Sequence, residues 1–261
     1  MTKRRLFAML GPPIAVSVVG LVLVEIYVRA RNTPGYLLPR PSAVFAALFD
    51  EREYLLVALW TTTKATLIGF VLSTVFGVLF ALALASSTWV RRAFGPYTIF
   101  FQTVPIIAIA PMLSIWLSPG TKAVSACAFI VSVFPVIANT LDGLVSTDPA
   151  LLDLFRLYGA SRAAAMFKLR LPAALPNVFT SLQVAAGLSV IGTVVAEFLV
   201  GELGEQQGLG VVIVSASHNG HSDRVFAAVL LASALGLAML GAVSLVRRLV
   251  LANWHASERS G

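Results

Sequence analysis

Hydrophobic positions in this chain do not alternate with polar ones; they run on. Six stretches contain no Asp, Glu, Lys or Arg, namely 6–24, 65–90, 93–121, 123–141, 171–196 and 225–246, each of 19 residues or more. A helix rises about 1.5 Å per residue, so about 20 apolar residues cross the roughly 30 Å hydrocarbon core of a bilayer. The stretches are rich in Leu, Ala, Val and Ile and lack the roughly ten-residue alternation of barrel strands, so they predict helices. The expected fold is all-α: an integral membrane protein of six transmembrane helices forming a single domain over residues 1–261. Lys3, Arg4 and Arg5 precede the first stretch as they would in a signal peptide. Its 19 uncharged residues, its Pro12-Pro13 pair and its end at Glu25–Arg29, without a small-residue cleavage site, make it the first span instead. The next longest uncharged run, Gln206 to Ser222, contains Gly208, Gly210, His218, Asn219 and Gly220 and reads as a loop lining protein or water.

Composition supports the bilayer. Hydrophobic residues make up 58% and charged residues 12% of the chain, against about 25% charged in soluble domains. Disorder and an ordinary soluble domain are both excluded. Cys127 is the single cysteine, which removes intramolecular disulfides and Cys-based metal sites. The net charge of +7 would suggest nucleic acid in a soluble protein; its distribution argues for a membrane and against a nucleic-acid partner. With a cytoplasmic N-terminus, 12 of the 19 basic residues (3, 4, 5, 91, 92, 156, 162, 168, 170, 247, 248 and 259) fall inside and 7 outside. Both termini are therefore expected in the cytoplasm. The longest inner connection is then 142–177, and the longer outer ones are 29–55 and 198–224.

The outer segments carry little chemistry. Each residue before a proline in Tyr36-Leu-Leu-Pro-Arg-Pro-Ser42 is pushed out of the helical region, and Ser42 reads as the cap of a short helix over 43–49. The glycines 201, 204, 208 and 210 lack the Lys-Ser/Thr and the preceding strand of a phosphate loop, so they read as turns between short helices. His218 and His221 flank a helix-breaking Asn-Gly with only Asp223 nearby, which does not make a metal site. No span carries a Ser/His/Asp set or paired carboxylates, so no catalytic residue, metal or cofactor is expected. Glu197 borders the uncharged interior of the fifth span, where an acid is a functional candidate; a position in a translocation path and one at the outer rim both remain open.

The inner connection is richer. Asp148 is a good N-cap and Pro149 suits the first helical position, while Leu151, Leu154, Phe155 and Tyr158 share one face. Gly159 ends that helix in a left-handed conformation, and Ser161 caps a second one carrying Arg162, Lys168 and Arg170, stopped by Pro172 and Pro176. Such an element fits either an interfacial helix on anionic lipid or a docking knob for a cytosolic partner.

The segment GASRAAAMFKLRLPAALP resembles the conserved cytoplasmic loop of binding-protein-dependent ABC importer permeases, the EAA loop. Asp153 stands where that family has Glu; Gly159, Ala160, Ser161, Arg162, Leu171, Pro172 and Pro176 match; Leu154 and Phe155 replace two alanines. LLPRPSAVFAAL at 37–48, FQTVPIIAIAPMLSIWL at 101–117, FPVIANTLDGLVSTDPALL at 134–152 and VVAEFLVGELGEQQGLGVVI at 194–213 are similar to the nitrate, sulfonate and taurine branch. Ser118-Pro119-Gly120 departs from that branch's Phe/Gly-Gly turn.

The resemblance implies a type I permease fold in the bacterial inner membrane, with residues 142–177 as the coupling loop. It further implies a second permease copy, two cytosolic ATP-binding subunits and an external solute-binding protein. Asp153, Phe155, Tyr158, Gly159, Ala160, Ser161, Arg162 and Pro172 are then the expected contacts to the ATPase. Gln102 and Pro105 in the third span, and Gln183, Ser189, Gly192 and Glu197 in the fifth, are the small or polar groups expected along the path. An ion-gradient-driven secondary transporter or channel is the competing reading, and it should show ionisable residues within spans or repeated broken helices. The sequence does not choose among sulfonate, nitrate and vitamin-precursor substrates.

Overall fold

The computed structural model describes residues 3–200 and 207–252; Gly201, Gly204 and Arg259 lie outside the described residues. The order is α1 (Lys3–Ala30), α2 (Pro41–Asp50), α3 (Arg52–Ser86), α4 (Thr88–Gln102), α5 (Ile106–Leu117), α6 (Thr121–Val145), α7 (Pro149–Leu157), α8 (Arg162–Ala165), a π-helical turn (Met166–Arg170), α9 (Leu171–Val200), α10 (Leu209–His218) and α11 (Ser222–Leu251). Among the described residues five helices are long and apolar enough to cross a membrane: α1, α3, α6, the continuous segment Arg162–Val200, and α11.

The third uncharged stretch, 93–121, is not the single span expected. It breaks at Thr103–Pro105 into α4 and the twelve-residue α5. Pro105 has no N–H for the residue four back and forces Val104 away from helical geometry, so the break falls where proline chemistry puts it. α5 is about 18 Å long by its rise. It closes on Ser118 and Gly120, both at positive φ.

α6 is the central post, packed against α3 on one side and α9 on the other. The α3 face that meets it repeats a small residue every fourth position: Ala65, Gly69, Ser73, Gly77, Ala81 and Ala85, all buried. A Cβ on Gly69 would lie 2.5 Å from the Ala128 Cβ, and one on Gly77 2.7 Å from Val136 Cγ1. In a bilayer no hydrophobic drive separates helix from lipid, so close backbone approach and dispersion hold the pair. Gly143 against Asn177 and Gly192 against Ala128 repeat the device between α6 and α9. α1 and α11 are mostly exposed, as helices bathed in lipid are.

Three local expectations need correction. Ser42 is not a cap: α2 starts at Pro41, and the Ser42 N–H and hydroxyl both donate to Glu25, at 3.1 and 2.9 Å, tying α2 to α1. The 206–222 run is not all loop, since Leu209–His218 is a helix with six buried residues. It ends in a left-handed Gly220, whose N–H donates to Ser217 O while that of His221 reaches Ala216 O. Pro172 and Pro176 do not stop the helix begun at Arg162. The π turn at Met166–Arg170, in which Leu171 N–H donates to Met166 O five residues back, carries the chain into α9. A wider turn gives a following proline ring the room that an α turn denies it.

Candidate functional site

Beside the Glu51–Arg224 ion pair that ties the α2–α3 junction to α11, two places among the described residues concentrate polar chemistry. The first is the 148–170 connection. The Asp148 carboxylate accepts from Ala150 N–H at 2.8 Å, Pro149 occupies the first turn of α7, and the Ser161 hydroxyl accepts from Ala164 N–H at 3.1 Å. Between the helices the Gly159 N–H donates to Arg156 O and that of Ala160 to Phe155 O, with Gly159 at φ +69°. This is a Schellman closure, and its turn residue must adopt positive φ. The corner is thus built by three short-range signals, all read correctly from the sequence.

Nothing in α7 is buried. Leu157 and Tyr158 are 84% and 83% exposed, and Leu151, Leu154 and Phe167 are also exposed. Asp153 pairs with Arg156 at 2.9 Å on the outer surface. An apolar tip flanked by charge therefore stands off one end of the bundle, beyond the α3–α4 junction that Arg170 reaches through Ala85 O.

The second place is a buried polar seam near the opposite end. Glu197 is 3% exposed. The Thr62 hydroxyl donates to its carboxylate, lying 3.0 and 2.9 Å from the two oxygens, and Gly210 N–H donates to Oε2 at 2.9 Å. The same Thr62 oxygen accepts Leu209 N–H at 2.8 Å. Two of the first N–H groups of α10 are thereby satisfied by α3 and α9, at the helix end where negative charge is favoured. Thr66, 3.0 Å from Thr193, extends the seam along the same two helices. A Cβ at Gly208 or Gly210 would collide with Glu197, which is why glycines stand there. Within the protomer Glu197 is buried rather than at an exposed rim, and it is the hub holding α10.

The other path candidates do not share one face. Gln102 and Pro105 are exposed at the α4–α5 break. Gln183 donates to Ser244 at 2.8 Å, toward α11. Ser189 is fully buried with its hydroxyl on Ala186 O, and Gly192 backs onto α6. Sequence reading passed over Thr62, Thr66 and Thr193; their signal was the i, i+4 pairing of Thr62 with Thr66 and of Thr193 with Glu197 inside otherwise apolar helices.

The chain belongs to the family of binding-protein-dependent transport system inner membrane components, whose model matches residues 73–251. Its class is the integral inner-membrane permease subunit of ATP-driven importers of small solutes, a class without catalytic function of its own that works with ATP-binding subunits and a substrate-binding protein. A protein of Haemophilus influenzae described as a probable ABC transporter permease is 32% identical over 231 residues, 87% of this chain and 91% of that protein. The formylaminopyrimidine transport permease protein ThiX of Halalkalibacterium halodurans is 32% identical over 232 residues, 88% of this chain and 91% of that one. In fold the chain is similar to the permease of the MetNI methionine ABC transporter in an inward-facing form, with a TM-score of 0.64, 18% identity, and coverage of 75% of this chain and 95% of that one.

Proposed function

We propose that this permease pairs with a second copy, docks one cytosolic ATPase subunit through each 149–170 element, and opens alternately to an external binding protein and to the cytoplasm. The observation that carries the reading is the α7 tip: an ordered, capped helix with no fully buried residue and with Leu154, Leu157 and Tyr158 exposed on its surface. In water such a surface calls for a partner groove, and helix-in-groove docking fits its length. Asp153, Phe155, Tyr158, Gly159, Ala160, Ser161 and Arg162 form the contact, and Pro172 sets the start of α9 behind it.

The broken pair α4–α5 acts as one crossing, which makes six and returns both termini to the cytoplasm. Gln102 and Pro105, exposed at that break, line the path, while Ser189, Gly192 and Glu197 brace its wall. ATP-driven approach of the two ATPases moves the two α7 tips together, and the rigid joint through α8 and the π turn carries that motion into α9. Each state is favoured only by its differential contacts. The nearly charge-free spans and the relation to a formylaminopyrimidine permease support a small uncharged nitrogen heterocycle as cargo.

Two measurements test the reading. Co-expression with ATPase and binding protein should give vesicles whose ATP hydrolysis rises with loaded binding protein; hydrolysis indifferent to it would point to the ion-driven alternative. Single cysteines at Ser87 and Ser217 in a Cys127→Ala background fix the orientation. An impermeant maleimide should label position 217 and spare position 87 in intact cells, and the reverse pattern would invert the topology.

A further inference from the structure

Two cavities meet at the α3–α4 corner. The first, of about 760 Å³, is lined by Ser86, Ser87, Thr88, Arg156, Arg162 and Arg170 among others. Three arginines and three hydroxyls converge there; no carboxylate is among the lining residues, and the one acid paired with these arginines among the described residues is Asp153, 2.9 Å from Arg156 on the exposed side of α7. The second, of about 910 Å³, is an apolar trough between α3, α4 and α6, lined by Phe76, Phe80, Trp89, Phe94, Tyr97 and Phe129 among others. Ala83 lines both, and Thr88 of the first adjoins Trp89 of the second. Edge-to-face pairs, Phe76 with Phe129 at 5.9 Å and Phe80 with Phe94 at 6.4 Å, give the trough fixed walls.

We propose that this composite site binds one anionic phospholipid, with its phosphate between Arg156, Arg170 and the hydroxyls of 86–88, Arg162 at the rim being left to the ATPase contact, and an acyl chain in the aromatic trough. The shape is amphipathic in the right order, basic at the mouth and apolar along the run into the bilayer. Basic pockets between membrane helices on the cytoplasmic side take anionic head groups for this reason. The first turn of α4 supplies an independent observation. It has no acidic residue, and Arg91 and Arg92 follow immediately at the helix end where cations are disfavoured. A negative group at that end relieves both the dipole and the arginines. Trp89, 73% exposed, lies in the first turn of the same helix as an interfacial anchor. The assignment to the inner leaflet rests on the topology proposed above; the site itself does not.

The test uses the assembled permease–ATPase complex in nanodiscs, with Trp60, Trp116 and Trp254 replaced by Phe so that Trp89 reports the membrane signal. Tryptophans of the ATPase lie outside the bilayer and give an unquenched background. Brominated phosphatidylglycerol should quench Trp89 in preference to brominated phosphatidylcholine by about fivefold or more in relative occupancy, the share expected of even one arginine near the surface. Arg156→Gln with Arg170→Gln should remove the preference while leaving phosphatidylcholine quenching intact, which shows the trough still folded, and Arg170→Lys should keep it. Equal quenching by both lipids, or a preference that survives the double change, would overturn the site. So would a preference seen in the permease alone and lost in the complex, because the cavity would then belong to the ATPase contact. None of these readouts depends on transport, so failure here leaves the coupling reading standing, and failure of coupling leaves this site standing.

Discussion

Alanine at position 197 will unseat α10 and abolish uptake. The change removes the acceptor for the Thr62 hydroxyl and the Gly210 N–H, both inside the protein. A buried donor left without a partner costs about 1–3 kcal/mol, and water cannot substitute in a seam of fully buried threonines. The vacated volume lies beside Gly208 and Gly210, which have no side chains to fill it. The loss should total roughly 3 kcal/mol, read as a fall in the melting midpoint in detergent together with loss of uptake in proteoliposomes. Glu197→Gln retains an acceptor and the volume and should cost about 1 kcal/mol. Gly210→Ala should resemble Glu197→Ala, since its Cβ would lie 2.5 Å from Val194 O and 2.6 Å from Glu197 Cβ. If Glu197→Ala melts and transports as the parent does, packing alone holds α10, and the carboxylate has no role there.

Valine at position 159 will separate coupling from folding. Gly159 sits at φ +69° with nothing within 4 Å of a Cβ position, so the substitution meets no neighbour, and its whole effect is backbone strain. For a β-branched residue that region costs about 1–3 kcal/mol, enough to open the Schellman corner and turn α7 away from α8. The protein should still insert and fold, because no residue of α7 is fully buried. ATPase pull-down should weaken about tenfold or more, since 1.4 kcal/mol is a factor of ten, and hydrolysis should no longer answer to loaded binding protein. Gly159→Asn, which tolerates the left-handed region, should restore most of both. Equal pull-down for the Val and parent proteins would make the 149–170 corner an interfacial element without a coupling role.

These two sites were legible to different degrees. The 148–162 corner was open to reading because each of its signals is local: Asp148 caps its own helix two residues on, Ser161 its own three residues on, and glycine alone takes Gly159's conformation without strain. The resemblance to importer permeases draws on that stretch and on segments from 37 to 213, and the family model matches 73–251. Glu197 could be flagged but not assigned. Its partners Thr62 and Gly210 are 135 and 13 residues away, and an acid at the end of an apolar run looks the same whether it faces a path, a rim or a neighbouring helix.

The sequence by itself determined that the chain is helical and in a membrane, because a charge-free run of twenty residues has no other low-energy state in lipid. It determined the capped corner, since caps and left-handed glycines are chosen within one turn. Tertiary structure decided what length and charge leave open. Whether 93–121 crosses as one helix depended on Pro105 and on what α5 could pack against, and Pro172 ended no helix because a π turn gave it room. Which way each small or polar residue of α9 faces was set by the neighbours: α6 takes Gly192, α11 takes Gln183, and α3 with α10 takes Glu197. In a helix buried on several sides, hydropathy is uniform around the axis and carries no direction, so only the close approach of particular partners can assign a face.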